Sequence, residues 1–283
     1  MRVLVFGADG QVGRELQRFP QVTALSRAEA DLEKPGACAE VIAATEADAV
    51  INAAAYTAVD RAEEEEALAT RINAAAPGEM ARACAEAALP FLHVSTDYVF
   101  DGRGRMARRE SARCHPLNAY GRSKRAGERA VAAAGGRWAV LRTSWVFSAH
   151  GNNFVKTMLR LSESRSELSV VDDQIGGPTP AADIARALIS LGRALGGGHP
   201  GGIYHFAGQP AVSWAGFAQE VFARAGRPVT VTPIPTAQYP TPAVRPLNSR
   251  LDCGRITEDF GIAPPDWRRG LDAVLQELEA TAT

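Results

Sequence analysis

A chain of 283 residues, 46% hydrophobic and 22% charged, is long enough for one large α/β domain or two unequal ones and too apolar to be disordered. Its 31 basic and 32 acidic side chains nearly cancel and no strongly basic block stands out, which argues against a nucleic-acid partner. Four cysteines, at 38, 84, 114 and 253, form no CxxC pair, and the five histidines, at 93, 115, 150, 199 and 205, fall in no HExxH or HxxxH spacing. Neither a disulfide scaffold nor a histidine metal site is expected.

In chain order, Val3–Phe6, Val22–Leu25, Ala49–Asn52, Phe91–Ser95 and Ala139–Arg142 are apolar runs of strand length. Between them, helical periodicity covers about 11–19, 34–45, 62–88 and 118–134. This alternation implies βαβ units and a parallel sheet. Glu63–Glu66 is read as a solvated helical face. The second half has shorter elements: a glycine-rich loop at 196–202, and a stretch with five prolines, Pro233–Pro246, that has no periodicity. The uncharged stretches 194–219 and 228–244 are broken by Gly, Pro, His or Gln and do not read as membrane spans. The N-terminus runs directly into a strand pattern without a signal-peptide region, so a cytoplasmic protein with reduced thiols and no membrane partner is expected.

The first strand ends in Gly7-Ala8-Asp9-Gly10-Gln11-Val12-Gly13. Gly7 permits a tight turn, Gly10 lets backbone approach a pyrophosphate, and Gly13 allows close helix–strand packing, all at the first strand–helix junction of a dinucleotide-binding fold. The expected fold is therefore α/β: a Rossmann-type doubly wound parallel sheet over 1–142, with 168–195 returning to it. A smaller mixed α/β substrate domain is expected over 143–283, mainly 143–167 and 196–283. After the second strand the chain has Ser26-Arg27 rather than a carboxylate, a pairing suited to a 2′-phosphate. NADPH is the expected cofactor, although Asp31 close by keeps NADH open and Arg27 can equally be read as solvated.

Tyr120 and Lys124 stand at i and i+4, one turn apart on one helical face. A cation about 4 Å from a phenol is worth about 4 kcal/mol at an effective dielectric near 20 before desolvation opposes it, roughly 3 pKa units at most and enough to bring the tyrosine from about 10 towards 7. Thr96, at the carboxyl end of the fourth predicted strand, is placed to hydrogen-bond a substrate carbonyl, although a lone threonine there also suits a turn cap.

With these three in place, the chain resembles the dTDP-4-dehydrorhamnose reductase family of the extended short-chain dehydrogenase/reductases. The resemblance is carried by FGADGQVG (6–13), INAAAYTAVDRAE (51–63), VSTDYVFDG (94–102), NAYGRSK (118–124), RTSWVF (142–147), GNNFVKTMLRL (151–161), DDQIGGPT (172–179) and YPTPAVRPLNSRLD (239–252), in family order over nearly the whole chain. It implies a pyrophosphate loop at Gly10, Gln11 and Val12, adenine-side contacts at Asp31 and Leu32, and inner cofactor contacts at Ala55, Tyr56 and Thr57. Thr96, Tyr120 and Lys124 would be the catalytic set. Asp97 and Trp145 would contact substrate, with Asn153 and Arg245 at the nucleotide end. Trp145 can also be read as core, Asn153 as a helix-end residue and Arg245 as solvated.

The implied reaction is NADPH-dependent reduction of the C4 keto group of dTDP-4-dehydro-L-rhamnose to dTDP-L-rhamnose, the last step of dTDP-L-rhamnose synthesis. Related 4,6-dehydratases need a carboxylic pair after the threonine, and here Asp97 is followed by Tyr98. The alternatives are another sugar-nucleotide ketoreductase or an epimerase, which would hold NAD tightly. A third is a non-catalytic subunit resembling the regulatory subunit of methionine adenosyltransferase. Some members of the family are magnesium-linked homodimers with the ion held by glutamates. Glu15 occupies a comparable helix position, but the C-terminal tail offers no evident match for the remaining ligands, so Mg2+ and the dimer stay open.

Overall fold

The structure is a computed structural model that describes residues 1–282. The N-terminal half alternates β1 (Val3–Phe6), α1 (Gln11–Leu16), β2 (Val22–Leu25), α2 (Ala37–Ala43), β3 (Ala49–Asn52), α3 (Glu66–Thr70), α4 (Ala76–Glu86), β4 (Phe91–Thr96), α5 (Ala119–Ala133) and β5 (Trp138–Thr143). The C-terminal half contains β6 (Val146–Phe147), α6 (Phe154–Ser162), β7 (Glu167–Val171), β8 (Ile175–Gly176), β9 (Thr179–Pro180), α7 (Ala181–Gly196) and β10 (Gly201–His205). It continues with β11 (Val212–Ser213), α8 (Trp214–Arg224), β12 (Thr230–Ile234), β13 (Asn248–Ser249), α9 (Gly254–Phe260) and α10 (Trp267–Ala282).

Six strands form one parallel sheet in the order β2-β1-β3-β4-β5-β10. Because successive side chains point to opposite faces, Val3, Val5, Ile51, Leu92 and Leu141 pack with the buried face of α7, while Leu4, Phe6, Val50, Phe91 and Val140 pack with Ile42, Met80 and Val131 from α2, α4 and α5. Strand order reverses between β1 and β3, and such reversals open a crevice beyond the strands' carboxyl ends.

Three expectations need correction. The helix expected over 62–88 is interrupted: a 3-10 turn at Arg61–Glu63 and α3 lead into a π-helical turn, Arg71–Ala75, before α4. Pro77 is the cause, since it has no amide hydrogen to bond the Asn73 carbonyl, and the widened turn accommodates the vacancy. Of the segment expected to return to the first sheet, α7 does so, but β7 pairs instead with β12. The 201–205 stretch, read as loop and substrate domain, is the sixth strand of the main sheet. Gly201 takes φ +81° there, and a Cβ on it would lie 1.9 Å from the Trp138 carbonyl oxygen.

The smaller lobe has its own core of Phe147, Met158, Leu168, Phe217, Phe222, Trp267 and Leu271, contributed by α6, α8, α10 and the β7–β12 pair. Pro233 sits within β12, and a two-stranded sheet leaves its proline an edge that needs no amide. Among the described residues no helix is long and apolar enough to cross a membrane.

Beneath the main sheet's carboxyl end, Glu128 of α5 accepts two bonds of 2.7 Å from the Arg142 guanidinium of β5 and a third of 2.7 Å from Ser95 of β4. Both ionic groups are buried. Removing one partner leaves the other charge uncompensated, so Glu128→Ala is expected to cost roughly 3–5 kcal/mol, read as a lowered urea midpoint, whereas a midpoint within error of wild type would contradict this.

Candidate active site

A cleft of about 810 Å³ opens over the β1/β3 reversal and runs to the ends of β4 and β5, a size suited to a dinucleotide together with part of a second ligand. Gly7 builds its floor. It adopts φ +100°, and a Cβ there would stand 2.7 Å from the Ala54 amide nitrogen. Gly13 packs so closely that a Cβ would fall 1.9 Å from the Gly7 carbonyl oxygen. It therefore seats α1 against the turn without lining the cleft, whereas Gly7, Gly10, Gln11 and Val12 do line it. Arg27, Asp31, Leu32, Ala55 and Thr57 continue this wall. Arg27 is exposed and held by Asp31 at 3.4 Å and by Glu33, so a ligand phosphate would compete with two carboxylates for it.

The three residues expected to be catalytic, Thr96, Tyr120 and Lys124, meet at the other end. Asn118 caps α5, accepting from the Gly121 amide at 2.8 Å, and so fixes Tyr120 in the helix's first turn. Tyr120 packs edge-on against Tyr98, and the hydroxyl of Thr96 stands beside its phenol. Thr96 is also a cap: its Oγ1 accepts from the Tyr98 amide at 3.2 Å and donates to Asp97 Oδ1 at 3.1 Å. Lys124, one turn after Tyr120, is buried and donates from Nζ to the Val94 carbonyl at 2.6 Å.

Electrostatics depart from expectation. Burial pushes the Tyr120 phenol up to about 12, opposed by the Thr96 hydrogen bond and aided by the nearby Asp97 carboxyl, and the lowering expected from Lys124 is not among these influences. Burial also brings Lys124 down to about 8, even with Glu128 favouring its charged form. Asp97 is pushed up to about 6 by burial. Two buried polar atoms that line this end, Asp97 Oδ2 and Thr143 Oγ1, have no protein partner, as expected for groups awaiting a ligand.

Trp145 also lines the cleft, in a left-handed conformation with φ +49° that is strained for a bulky residue. Its ring stacks on Trp214 at 3.5 Å between centroids and 10° between planes. Gly176 leaves room for it, since a Cβ there would lie 2.6 Å from the indole.

Three expected contacts are placed elsewhere. Tyr56 donates its hydroxyl to Glu65 at 2.6 Å, while its backbone is clasped by the Asn73 side chain from the π turn. Asn153 caps α6 and donates to Gln11 Oε1 at 3.0 Å, supporting the wall from behind. Arg245 makes a two-pronged pair with Asp60, at 2.9 and 2.7 Å, and latches its loop to the segment after β3. The helix-end reading fits Asn153, and the arginine has a structural partner.

Sequence reasoning missed Thr143, Trp214 and the buried His93, which bonds Asn52 and meets Lys124 from below. Thr143 closes β5 as Thr96 closes β4, and was available on that ground. Trp214 comes from a distant helix start that no local motif marks.

Glu15, His150 and Glu277 converge within 4.8 Å. Glu277 is the C-terminal carboxylate that the sequence did not single out. The residues do not fit magnesium, however. Arg18 lies among them, with Nε 2.8 Å from Glu15 and a terminal nitrogen 2.6 Å from Glu277, and an imidazole supplies the third donor. A hard cation that takes oxygen ligands would have to displace a guanidinium already neutralising both carboxylates.

Comparison with known proteins places these features in one family. The profile described as RmlD substrate binding domain matches residues 1–280. A dTDP-4-dehydrorhamnose reductase of Burkholderia thailandensis is 44% identical, covering 98% of this chain and 99% of that protein. A crystal structure of a dTDP-4-dehydrorhamnose reductase from Clostridium acetobutylicum superposes with a TM-score of 0.92 at 35% identity, covering 99% of this chain and 100% of that one. Another, from Bacillus anthracis in complex with NADP, gives 0.91 at 35% identity, covering 98% and 99%.

The Asp97 carboxyl supplies a test of this geometry. Its folded-state pKa is raised, so the native state is penalised as pH climbs from about 4 through about 6 and the penalty is absent below both values. Asp97→Asn is expected to be more stable than wild type at pH 8, by up to roughly 3 kcal/mol, with the urea midpoints converging below about pH 4. A gap independent of pH would contradict the assignment.

Proposed function

The chain belongs to the RmlD substrate binding domain family, and we infer that it reduces the C4 keto group of dTDP-4-dehydro-L-rhamnose with NADPH, giving dTDP-L-rhamnose. The observation that carries this reading is the convergence of Tyr120, Thr96 and Lys124 at one end of a cleft whose other end is the glycine turn.

The cofactor would lie along Gly7, Gly10, Gln11 and Val12, with its adenosine end near Arg27, Asp31 and Leu32 and its inner part along Ala55 and Thr57. When bound, the reduced nicotinamide supplies the hydride. Tyr120 then provides the proton to the oxygen that gains charge, and its raised pKa suits that task because it keeps the phenol protonated until the alkoxide develops. Thr96 hydrogen-bonds the same oxygen. Lys124 presents its ammonium to the ribose and favours negative charge near the phenol. Asp97 and the Trp145–Trp214 stack bound the sugar, with the free Asp97 Oδ2 an acceptor for a sugar hydroxyl.

Dehydration is disfavoured by the same wall. It needs a second acid after Thr96, and Tyr98 stands there with its phenol kept protonated by burial. A tightly retained NAD on the purified protein would instead favour an epimerase. Turnover with a UDP-linked ketosugar, run in parallel, reports whether the nucleotide is read strictly.

Three outcomes follow for NADPH oxidation with dTDP-4-dehydro-L-rhamnose. Tyr120→Phe is expected to lower kcat by about 10²–10⁴-fold with NADPH affinity within a few-fold of wild type, and near-wild-type turnover would remove the proton donor. Because Lys124 acts as the ammonium, kcat/KM is expected to fall as pH rises through about 8, and a limb first appearing near 10.5 would contradict its burial. Arg27→Ala is expected to raise KM for NADPH by about tenfold without changing that for NADH, a salt-bridged contact being worth about that much. An unchanged ratio would make Arg27 a solvated residue.

A further inference from the structure

Lys124 is held from below by side chains that the proposed chemistry does not use. Asn52, at the end of β3, and His93, on β4, are register partners in adjacent parallel strands, and both are fully buried. The Asn52 amide is oriented by the backbone: its Oδ1 accepts from the Ala54 amide at 3.0 Å in the turn that faces Gly7. Its NH2 group therefore points at His93 Nδ1, 3.2 Å away. An amide NH2 is only a donor, so Nδ1 must be the acceptor. A buried imidazole beside a lysine stays neutral and carries one proton, which is then on Nε2. His93 Nε2 lies 3.3 Å from Lys124 Nζ.

This sequence of constraints ends in a conflict. An ammonium has three N–H donors and no lone pair, so an Nε2–H aimed at it sets donor against donor. The neutral amine has a lone pair that accepts this bond while still donating to the Val94 carbonyl. Moving the ring proton to Nδ1 only transfers the clash to the Asn52 amide, and turning that amide over orphans the Ala54 N–H. We propose that His93, held in its Nε2–H tautomer by Asn52, is a positioning residue that favours the neutral form of Lys124 and so sets the proton affinity of the catalytic lysine.

The other groups around Lys124 do not account for the same bias. On its own helix, Glu128 favours the ammonium, but it is engaged by Arg125 and by Arg142 from β5; Tyr120 lies a turn back. From the turn after β4 come Asp97 and Tyr98. Before α5, Glu63 accepts from the Ala119 amide and Glu66 pairs with Arg122, while Arg71 of the π turn is paired with Glu79. His93 is the titratable ring in hydrogen-bond contact with Nζ.

For its kinetic consequence this rests on the reductase reading, but its first test does not. In the resting protein labelled with 15N-histidine, the two-bond 15N–1H pattern of His93, assigned through its Phe91 neighbour, is expected to show a protonated Nε2 and a bare Nδ1. His205, whose Nδ1 faces the Arg108 carbonyl at 2.9 Å, is expected to show the opposite tautomer and serves as the internal contrast. An Nδ1–H tautomer at His93 overturns the proposal and leaves the reductase reading untouched. The second arm is the basic limb of kcat/KM for NADPH oxidation in His93→Phe. Loss of a donor to the amine is expected to move that limb upward by about 0.5–1 pH unit. A limb that stays in place, or moves down as it would if His93 accepted from the ammonium, overturns it. A wild-type protein that shows the Nε2–H tautomer but oxidises no NADPH with the ketosugar would instead refute the reductase reading.

Discussion

The site depends on keeping the Lys124 amino group out of water without leaving it unbonded. Burial of an ammonium is unfavourable, and two features answer this here: the Val94 carbonyl accepts a bond from Nζ in either protonation state, and the proton is easily given up to an amine that His93 can bond. The same burial raises the phenol of Tyr120, so the two partners are displaced in opposite directions from their ordinary values, the acid towards holding its proton and the base towards releasing one. That division of roles is what reduction of a carbonyl asks of a proton donor and its neighbour.

The scaffold makes this arrangement rigid. Lys124 and Tyr120 share one helix face, Thr96 and His93 come from one strand, and Asn52 comes from the strand beside it. The π turn generated by Pro77 presses against this helix, since a Cβ on Gly127 would lie 2.0 Å from the Asn73 carbonyl oxygen. Asn73 in turn bonds Ser123, next to Lys124, at 3.0 Å. The smaller lobe contributes enclosure: Trp214 from α8 stacks on the strained Trp145, and both rings line the cleft.

Much of this was legible in the residues themselves. The first three strands are bounded as their apolar runs indicate, and the glycine turn and the trio lie along one cleft. What escaped did so for identifiable reasons. Gly201 and Gly202 carry no side-chain periodicity, so a strand that needs glycine against the Trp138 carbonyl looks like a loop. Helical periodicity does not register a π turn, although Pro77 was there to be weighed. Arg245 and Asn153 have the right chemistry for ligands but are committed to Asp60 and to a helix cap, which only three-dimensional neighbours reveal. The phenol stands above its ordinary value because desolvation, expected only to oppose the charge of Lys124, is the largest influence on it.

The central claim is that a hydride reaches the sugar's C4 while Tyr120 protonates the oxygen beside it. It is tested most directly by isotope tracing: NADPH carrying deuterium at both hydrogens of the reactive nicotinamide carbon is turned over with dTDP-4-dehydro-L-rhamnose, and the deoxysugar product is examined by NMR. The account predicts one deuterium at C4 of each product molecule, the other staying on the oxidised cofactor. A product without deuterium, or with it at another sugar carbon, would contradict it.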